Sequence, residues 1–418
     1  MRVLMLSWEY PPVLVGGLGR HVHALAEALT LAGHEVAVLT RHAAGAPYDE
    51  VAGGVRVVRV PEDPPLFRFD QELLAWTMAL NHALTRAGLG LVEADPPDVL
   101  HAHDWLVAHA ATTLKHHLRV PLVATVHATE AGRHQGWLPG PMNRAIHSVE
   151  WWLTYQARRV VTCSEHMRWE VTRLFDLPPE KVEVIGNGVE VDRWRSDPGQ
   201  VAAMRRRYAG DGPLLVFSGR LVHEKGVHDL LRAMPRLRRR HPGIRLVVAG
   251  AGPQDGALRE QARRLRLGRS VCFAGFVDDL AALVGAADCA VVPSIYEPFG
   301  LVALEAAAAG TPLVVADVGG LRELVEHGVS GLRFAAGDPA GLADAVGAVL
   351  SDQVLARRCG REARRGVLDG YAWSRVAART AAAYHRAGRE ERALQADLAG
   401  RALPRLLVRD GNLLTGAP

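Results

Sequence analysis

Short, mostly unbroken apolar runs alternate with amphipathic stretches along this chain. Runs at 3–7, 36–39, 55–60, 98–101, 122–126, 159–162 and 182–185 read as strands. After the first, Val22, Leu25, Ala26 and Leu29 fall on one helical face, and Gly33 is placed to stop that helix. Strands that are apolar on both faces and separated by helices belong in a parallel sheet covered on both sides. The pattern then starts again, with strand-like runs at 214–218, 246–250, 271–276, 289–293 and 313–316, each followed by a helical stretch. Asp, Pro and Gly crowd the break at 192–212. The expected fold class is therefore α/β: two Rossmann-like doubly wound parallel-sheet domains, over 1–195 and 205–372. Their ligand cleft should lie between the domains, at the carboxyl ends of the strands.

Composition narrows the class. At 418 residues the chain exceeds one typical core, and 49% hydrophobic with 22% charged residues is ordinary for a globular protein. The four cysteines show no close pairing, and the middle two sit in strand-like runs, so all read as buried thiols in a reducing compartment. A strand at 3–7 leaves no room for a signal peptide, and no apolar run reaches 18 residues, so the expected location is cytoplasmic. The net charge of +4 comes with arginine clusters at 205–207, 238–240 and 357–365. These read as solvated helix faces that also allow peripheral contact with anionic lipid. No zinc-finger, RNA-recognition or helix-turn-helix pattern accompanies them, so no nucleic-acid partner is expected.

Several places carry candidate chemistry. Glu305 lies two turns into a helical run over 301–309 closed by Gly310, with Leu301, Val302, Ala308 and Ala309 as its helical neighbours. A carboxylate among aliphatic side chains needs hydrogen bonds, from the vicinal hydroxyls of a sugar or from a nearby arginine. Gly16 and Gly17 follow the first strand and open a helix, where a backbone can approach a phosphate; the spacing is not that of the dinucleotide fingerprint. Arg220 and Lys225 stand five apart across a strand-to-helix turn, suited to closing two cations on one diphosphate or to pairing with Glu224. Gly300, Leu301 and Gly320 fall at helix starts whose amides can face the same phosphates, and Gly275-Phe276-Val277 is expected as a base-contacting edge, with Val277 as its contact. His101 and His103 suggest a metal when taken alone, but no third ligand lies at recognisable spacing.

The segment Glu297-Pro-Phe-Gly-Leu-Val-Ala-Leu-Glu305 resembles the signature of the retaining, nucleotide-sugar-dependent glycosyltransferases of family 4. The Gly16-Gly17 loop, Ser218-Gly-Arg220 through Lys225-Gly226, His101-Ala-His103-Asp104-Trp105 and the strand ending in His127 match further elements of that family in order. The resemblance runs from the first Gly-Gly loop to about residue 390 and implies the two-Rossmann-domain fold called GT-B, with a helix over 373–390 crossing back to the first domain. The tail 391–418 has no assigned role. Ser7-Trp-Glu-Tyr-Pro-Pro12 and the His-x-His-Asp-Trp run look most like bacterial glycogen synthases. Leu14 departs from the lysine that ADP-glucose-using members carry there, and the residues after His127 depart from their usual His-Asn. Donor base and acceptor thus stay open.

What the resemblance implies is transfer of a hexosyl unit, most simply glucose, from an ADP-, UDP- or GDP-linked donor to an acceptor hydroxyl, with an α-glucan as the leading acceptor. It places Arg220 and Lys225 on the diphosphate with Gly16, Gly17, Gly300, Leu301 and Gly320. Glu305 goes to the ribose, Glu297 to the donor sugar, and His127 and Asp104 to orienting sugar and acceptor. No cofactor or metal is expected, since no Asp-x-Asp motif is present to hold a cation on phosphates. Trp137 is placed either to stack on a glucan or to pack. Three alternatives share the donor machinery: a mannosyl- or other glycosyltransferase acting on a lipid or small polyol, a nucleotide-sugar epimerase, and an inactive sugar-binding module. The oligomeric state is not expressed in any motif.

Overall fold

The computed structural model describes residues 1–92 and 96–400. The first half builds eight strands: β1 (Arg2–Leu6), β2 (Glu35–Arg41), β3 (Asp49–Ala52), β4 (Val55–Val60), β5 (Val99–His103), β6 (Leu122–Val126), β7 (Arg159–Thr162) and β8 (Val182–Val184). They lie in the order β3-β4-β2-β1-β5-β6-β7-β8, parallel except for the β3–β4 hairpin. The second half builds β9 (Leu214–Ser218), β10 (Arg245–Ala249), β11 (Val271–Gly275), β12 (Cys289–Val292), β13 (Leu313–Ala316) and β14 (Leu332–Phe334) in the order β11-β10-β9-β12-β13-β14. In both sheets the order reverses beside the first strand of the half, so the crevices open at the carboxyl ends of β1 and β9.

Two strands escape the apolar pattern. β3 is an edge strand of mostly exposed residues joined to β4 through Gly53-Gly54, and its positive-φ turn holds it against a single neighbour. β14 has only three residues. Cys272 corrects the expectation of buried thiols: it is exposed, because β11 is the sheet edge, while Cys163, Cys289 and Cys359 are buried and all four are free.

The helix Trp373–Gly400 starts on the second half and packs on the first, along the helix Gly17–Leu31. Its buried Tyr384 hydroxyl lies 2.7 Å from His101 Nδ1, and Arg158 reaches Glu391 at 2.7 Å. The helix thus takes in the first ten residues of the 391–418 tail; 401–418 lie outside the described residues. Further bonds clasp the halves: Ser164 Oγ donates to the Pro298 carbonyl at 2.7 Å, and Glu323 accepts from the amides of Glu165 and His166 at 2.9 and 2.7 Å. No helix among the described residues is long and apolar enough to cross a membrane.

Candidate active site

The site is assembled from strand ends of both sheets. From β12 the chain runs through Ser294 and Glu297 into the helix Leu301–Ala309, entered by Gly300 at φ 105° and left by Gly310 at φ 78°. Glu297 is buried, and its Oε2 accepts from Lys225 Nζ at 2.6 Å and Ser294 Oγ at 3.0 Å. Lys225 therefore pairs with Glu297, not with the neighbouring Glu224, whose carbonyl instead accepts from the Ile295 amide at 2.8 Å. Lys225 is carried on the turn after β9 that ends in Gly226, where φ is +67° and a Cβ would fall 1.8 Å from the Pro293 carbonyl oxygen. Only glycine lets this turn press against the β12 end, which is what delivers the lysine to Glu297.

Glu305 is buried on the helix Leu301–Ala309, as its aliphatic neighbours require, and its Oε1 accepts from Arg20 Nη1 at 2.6 Å. Burial pushes its carboxyl up, and Arg20 opposes the shift. Of the two partners the sequence leaves open, this structure holds the arginine, supplied by the other half. The start of the same helix has no side-chain cap, and Leu301 Cδ1 would lie 2.6 Å from a Cβ on Gly17. Arg220 is exposed, with its Nε 4.0 Å from the place of a Cβ on Gly16. Gly16, Gly17, Arg220, Leu301, Lys225 and Glu297 thus face one cleft.

At two of the expected phosphate-facing glycines the amide is already paired. The Gly16 amide is taken: it and the Val15 amide donate to Oε2 of the buried Glu9 at 2.9 and 2.8 Å. The Gly320 amide donates to the Glu297 carbonyl at 2.9 Å, and a Cβ there would meet Phe299 Cα at 2.5 Å. Gly320 is a close-packing glycine behind the Glu297 loop, with its amide turned inward. Val277 is half-buried beyond the sheet edge β11, at the carboxyl end shared with Arg220. Trp137 is 70% exposed, so it is not a packing tryptophan.

The floor of the cleft is a buried polar cluster on the first half. Asp104 adopts φ 63°, ψ 174°, a strained setting for a non-glycine residue, and its Oδ1 accepts from the His127 amide at 2.7 Å. Burial pushes its carboxyl up to about 7, with the His127 amide and Arg133 pulling the other way. Burial lowers His127 to about 3, so at neutral pH the ring is uncharged and acts through hydrogen bonds. His127 Nε2 lies 3.2 Å from His103 Nδ1, while His101 bonds Thr125 Oγ1 at 2.7 Å behind them. The third imidazole that spacing does not reveal is brought by the fold. His21, on the helix Gly17–Leu31, sits with its ring centroid 4.9 Å from that of His127 and 5.8 Å from that of His103. Arg20, His21 and Glu9 are the site residues sequence reasoning misses; their only local signal is polarity on a helix and loop otherwise read for glycines.

The family profile described as Glycosyltransferase Family 4 matches residues 15–193, and that described as Glycosyl transferases group 1 matches 204–366. Over 405 residues the chain is 49% identical to a protein named glycogen synthase from Mycobacterium tuberculosis (strain H37Rv), covering 94% of this chain and 96% of that one. It is 35% identical to a D-inositol 3-phosphate glycosyltransferase of Frankia alni, covering 87% and 92%. Among solved structures it resembles sucrose-phosphate synthase from Thermosynechococcus elongatus, with a TM-score of 0.80 and 25% identity over 92% of this chain and 98% of that one.

Proposed function

The chain belongs to glycosyltransferase family 4, with the GT-B fold, and is a hexosyltransferase that uses a nucleotide sugar; from that premise we propose that it moves glucose, with retention, onto the end of an α-glucan. The observation that carries the donor half of this reading is the ion pair of Lys225 with Glu297, 2.6 Å long with the glutamate buried and the lysine partly exposed, beside Arg220 and the uncapped start of the helix Leu301–Ala309. In the proposed reaction a donor diphosphate draws Lys225 away and lies between it and Arg220, and the two cations stabilise the charge on the leaving diphosphate. Glu297, released, accepts hydrogen bonds from the donor sugar, and Glu305 does so from the ribose. His127 and Asp104 hold the sugar and the incoming hydroxyl in line. No metal takes part in this proposed transfer.

A second acceptor reading is favoured by a specific observation. Arg133 is exposed at the edge of the Asp104 pocket, close enough to lower its carboxyl, and two of the similar proteins are named for phosphorylated small molecules. A sugar phosphate would place its phosphate on such an arginine.

The test is nucleoside diphosphate release from ADP-, UDP- and GDP-glucose and GDP-mannose, each with maltooligosaccharide, with a glucose phosphate and with inositol phosphate, in chelator. Release from a glucose donor that rises with maltooligosaccharide and lengthens it supports the glucan reading. Release that rises only with a phosphorylated acceptor replaces it with the second. Loss of activity in chelator overturns the metal-free mechanism.

A further inference from the structure

We propose that His21, His103 and His127 form a binding site for a zinc-class divalent cation, and that its loading blocks the donor-sugar end of the cleft. Each of the three residues offers a ligand nitrogen, and these lie within 4.8 Å of one another. Two already stand at ligand spacing: His103 Nδ1 and His127 Nε2 are 3.2 Å apart. Tetrahedral zinc with bonds of about 2.0–2.1 Å separates its nitrogen ligands by roughly 3.3 Å.

The second observation concerns unmet bonding capacity. His21 Nδ1 and His103 Nε2 are both buried without any hydrogen-bond partner, in residues that are themselves at least nine-tenths buried. Buried polar atoms are ordinarily partnered, so the orphaned His21 nitrogen beside the His103–His127 pair calls for a ligand; His103 faces that pair with Nδ1, and its Nε2 stays outside the ligand set. The rings come from three separate elements, the helix Gly17–Leu31, β5 and the end of β6, and Trp373 closes over His21 edge-on at 5.4 Å between centroids.

The donor set selects the class of ion. Three imidazoles and no carboxylate within the trio suit zinc, cobalt, nickel or copper, and do not suit magnesium or calcium, which need oxygen ligands. A three-histidine set leaves a fourth position to water or an anion. The inhibitory consequence rests on the proposed role of His127 toward the donor sugar: one ring cannot serve the sugar and the cation together. The binding itself does not depend on that role.

The experiment uses the full chain after dialysis against chelator, titrated with Zn²⁺ by calorimetry and with Co²⁺ by visible absorption. One equivalent per chain is expected, with the intense visible bands of four-coordinate Co²⁺, and at least a tenfold loss of affinity in both His21→Ala and His103→Ala. His116→Ala, a surface change, should bind as the parent does. No stoichiometric binding, undiminished binding in the two variants, or the faint spectrum of six-coordinate cobalt in the unaltered chain would each overturn the site; the last needs no variant to fold. Zn²⁺ should raise the donor KM, and chelator should restore it. Bound zinc that leaves transfer unchanged overturns the inhibitory part. A chain that binds zinc but transfers no sugar under any condition overturns the proposed function and leaves the site standing.

Discussion

Arg20 Nη1 and Glu305 Oε1 lie 2.6 Å apart, joining a helix of the first half to a helix of the second across the cleft. The arginine is half-exposed and the glutamate buried, so the pair is asymmetric: removing Arg20 strands a buried carboxylate, whereas removing Glu305 frees a cation that water can solvate. Arg20→Ala should destabilise the chain by about 1 kcal/mol after allowance for the exposure of the arginine. Added to Glu305→Ala it should cost nearly nothing more, a coupling that a double-mutant cycle in urea would read. Glu305→Ala should raise the donor KM at least tenfold with kcat less affected. A donor KM within twofold of the parent would remove Glu305 from the ribose.

Lys225 is asked to do two things, neutralise Glu297 at rest and meet the diphosphate during transfer. Lys225→Ala should lower kcat by about 10²–10³, the range for deleting one group that stabilises developing charge. Lys225→Arg should recover only part of it, because the planar guanidinium cannot fit the same 2.6 Å contact to Glu297 and the 3.0 Å contact of Ser294 to the same oxygen. Single-turnover release of nucleoside diphosphate is the measurement; rates within threefold of the parent would mean the lysine is structural.

Much of the site was legible because it is local. The helix over 301–309, its glycine stop and the burial of Glu305 all follow from residues within a few positions of one another. The parallel strands were legible because they are buried on both faces. What was not legible needs two distant segments. Nothing near Arg20 announces Glu305, nothing near Glu9 announces that its carboxylate fills the Val15 and Gly16 amides, and His21 joins His103 and His127 only when β1, β5 and β6 lie side by side. Gly320 is likewise opaque in sequence: a glycine at a helix start reads as a phosphate turn, and nothing local shows that the Cβ it lacks would fall 2.5 Å from Phe299 Cα. β3 was missed because an exposed edge strand has no apolar run.

Gly226 and Gly17 separate two reasons for a glycine. A Cβ on Gly226 would fall 1.8 Å from a backbone oxygen at φ +67°, and neither strand end can retreat. Gly226→Ala should cost more than about 2 kcal/mol and displace Lys225. A Cβ on Gly17 would meet only the tip of the Leu301 side chain at 2.6 Å, which can rotate, so Gly17→Ala should cost under about 1 kcal/mol while raising the donor KM. Urea denaturation of both would show it; equal losses would refute the distinction.

Tyr384 ties the final helix to the cluster beneath the cleft through its 2.7 Å contact with His101. Tyr384→Phe keeps the ring and leaves His101 Nδ1 buried and unpaired, a loss of about 1–3 kcal/mol. A melting temperature equal to the parent's would show that the helix is held elsewhere, for instance by Arg158 and Glu391.

Asp104 and His127 give the chain opposing responses to pH. Asp104 is raised to about 7 from 3.8, so between those values the folded state binds the extra proton, and stability falls as pH rises through the folded pKa. His127 is lowered to about 3 from 6.5, so the unfolded state binds the extra proton, and stability falls as pH drops below 6.5. Between about pH 4 and 6.5 the two slopes oppose. Asp104→Asn deletes one of them and keeps an oxygen to accept from the His127 amide. The variant's stability should therefore rise more steeply with pH than the parent's over this window, by up to about 1.4 kcal/mol per unit. Urea denaturation at pH 4.5, 5.5 and 6.5 measures the difference. Parallel curves would mean that Asp104 titrates as an ordinary carboxyl and that its burial beside His127 does not tune it.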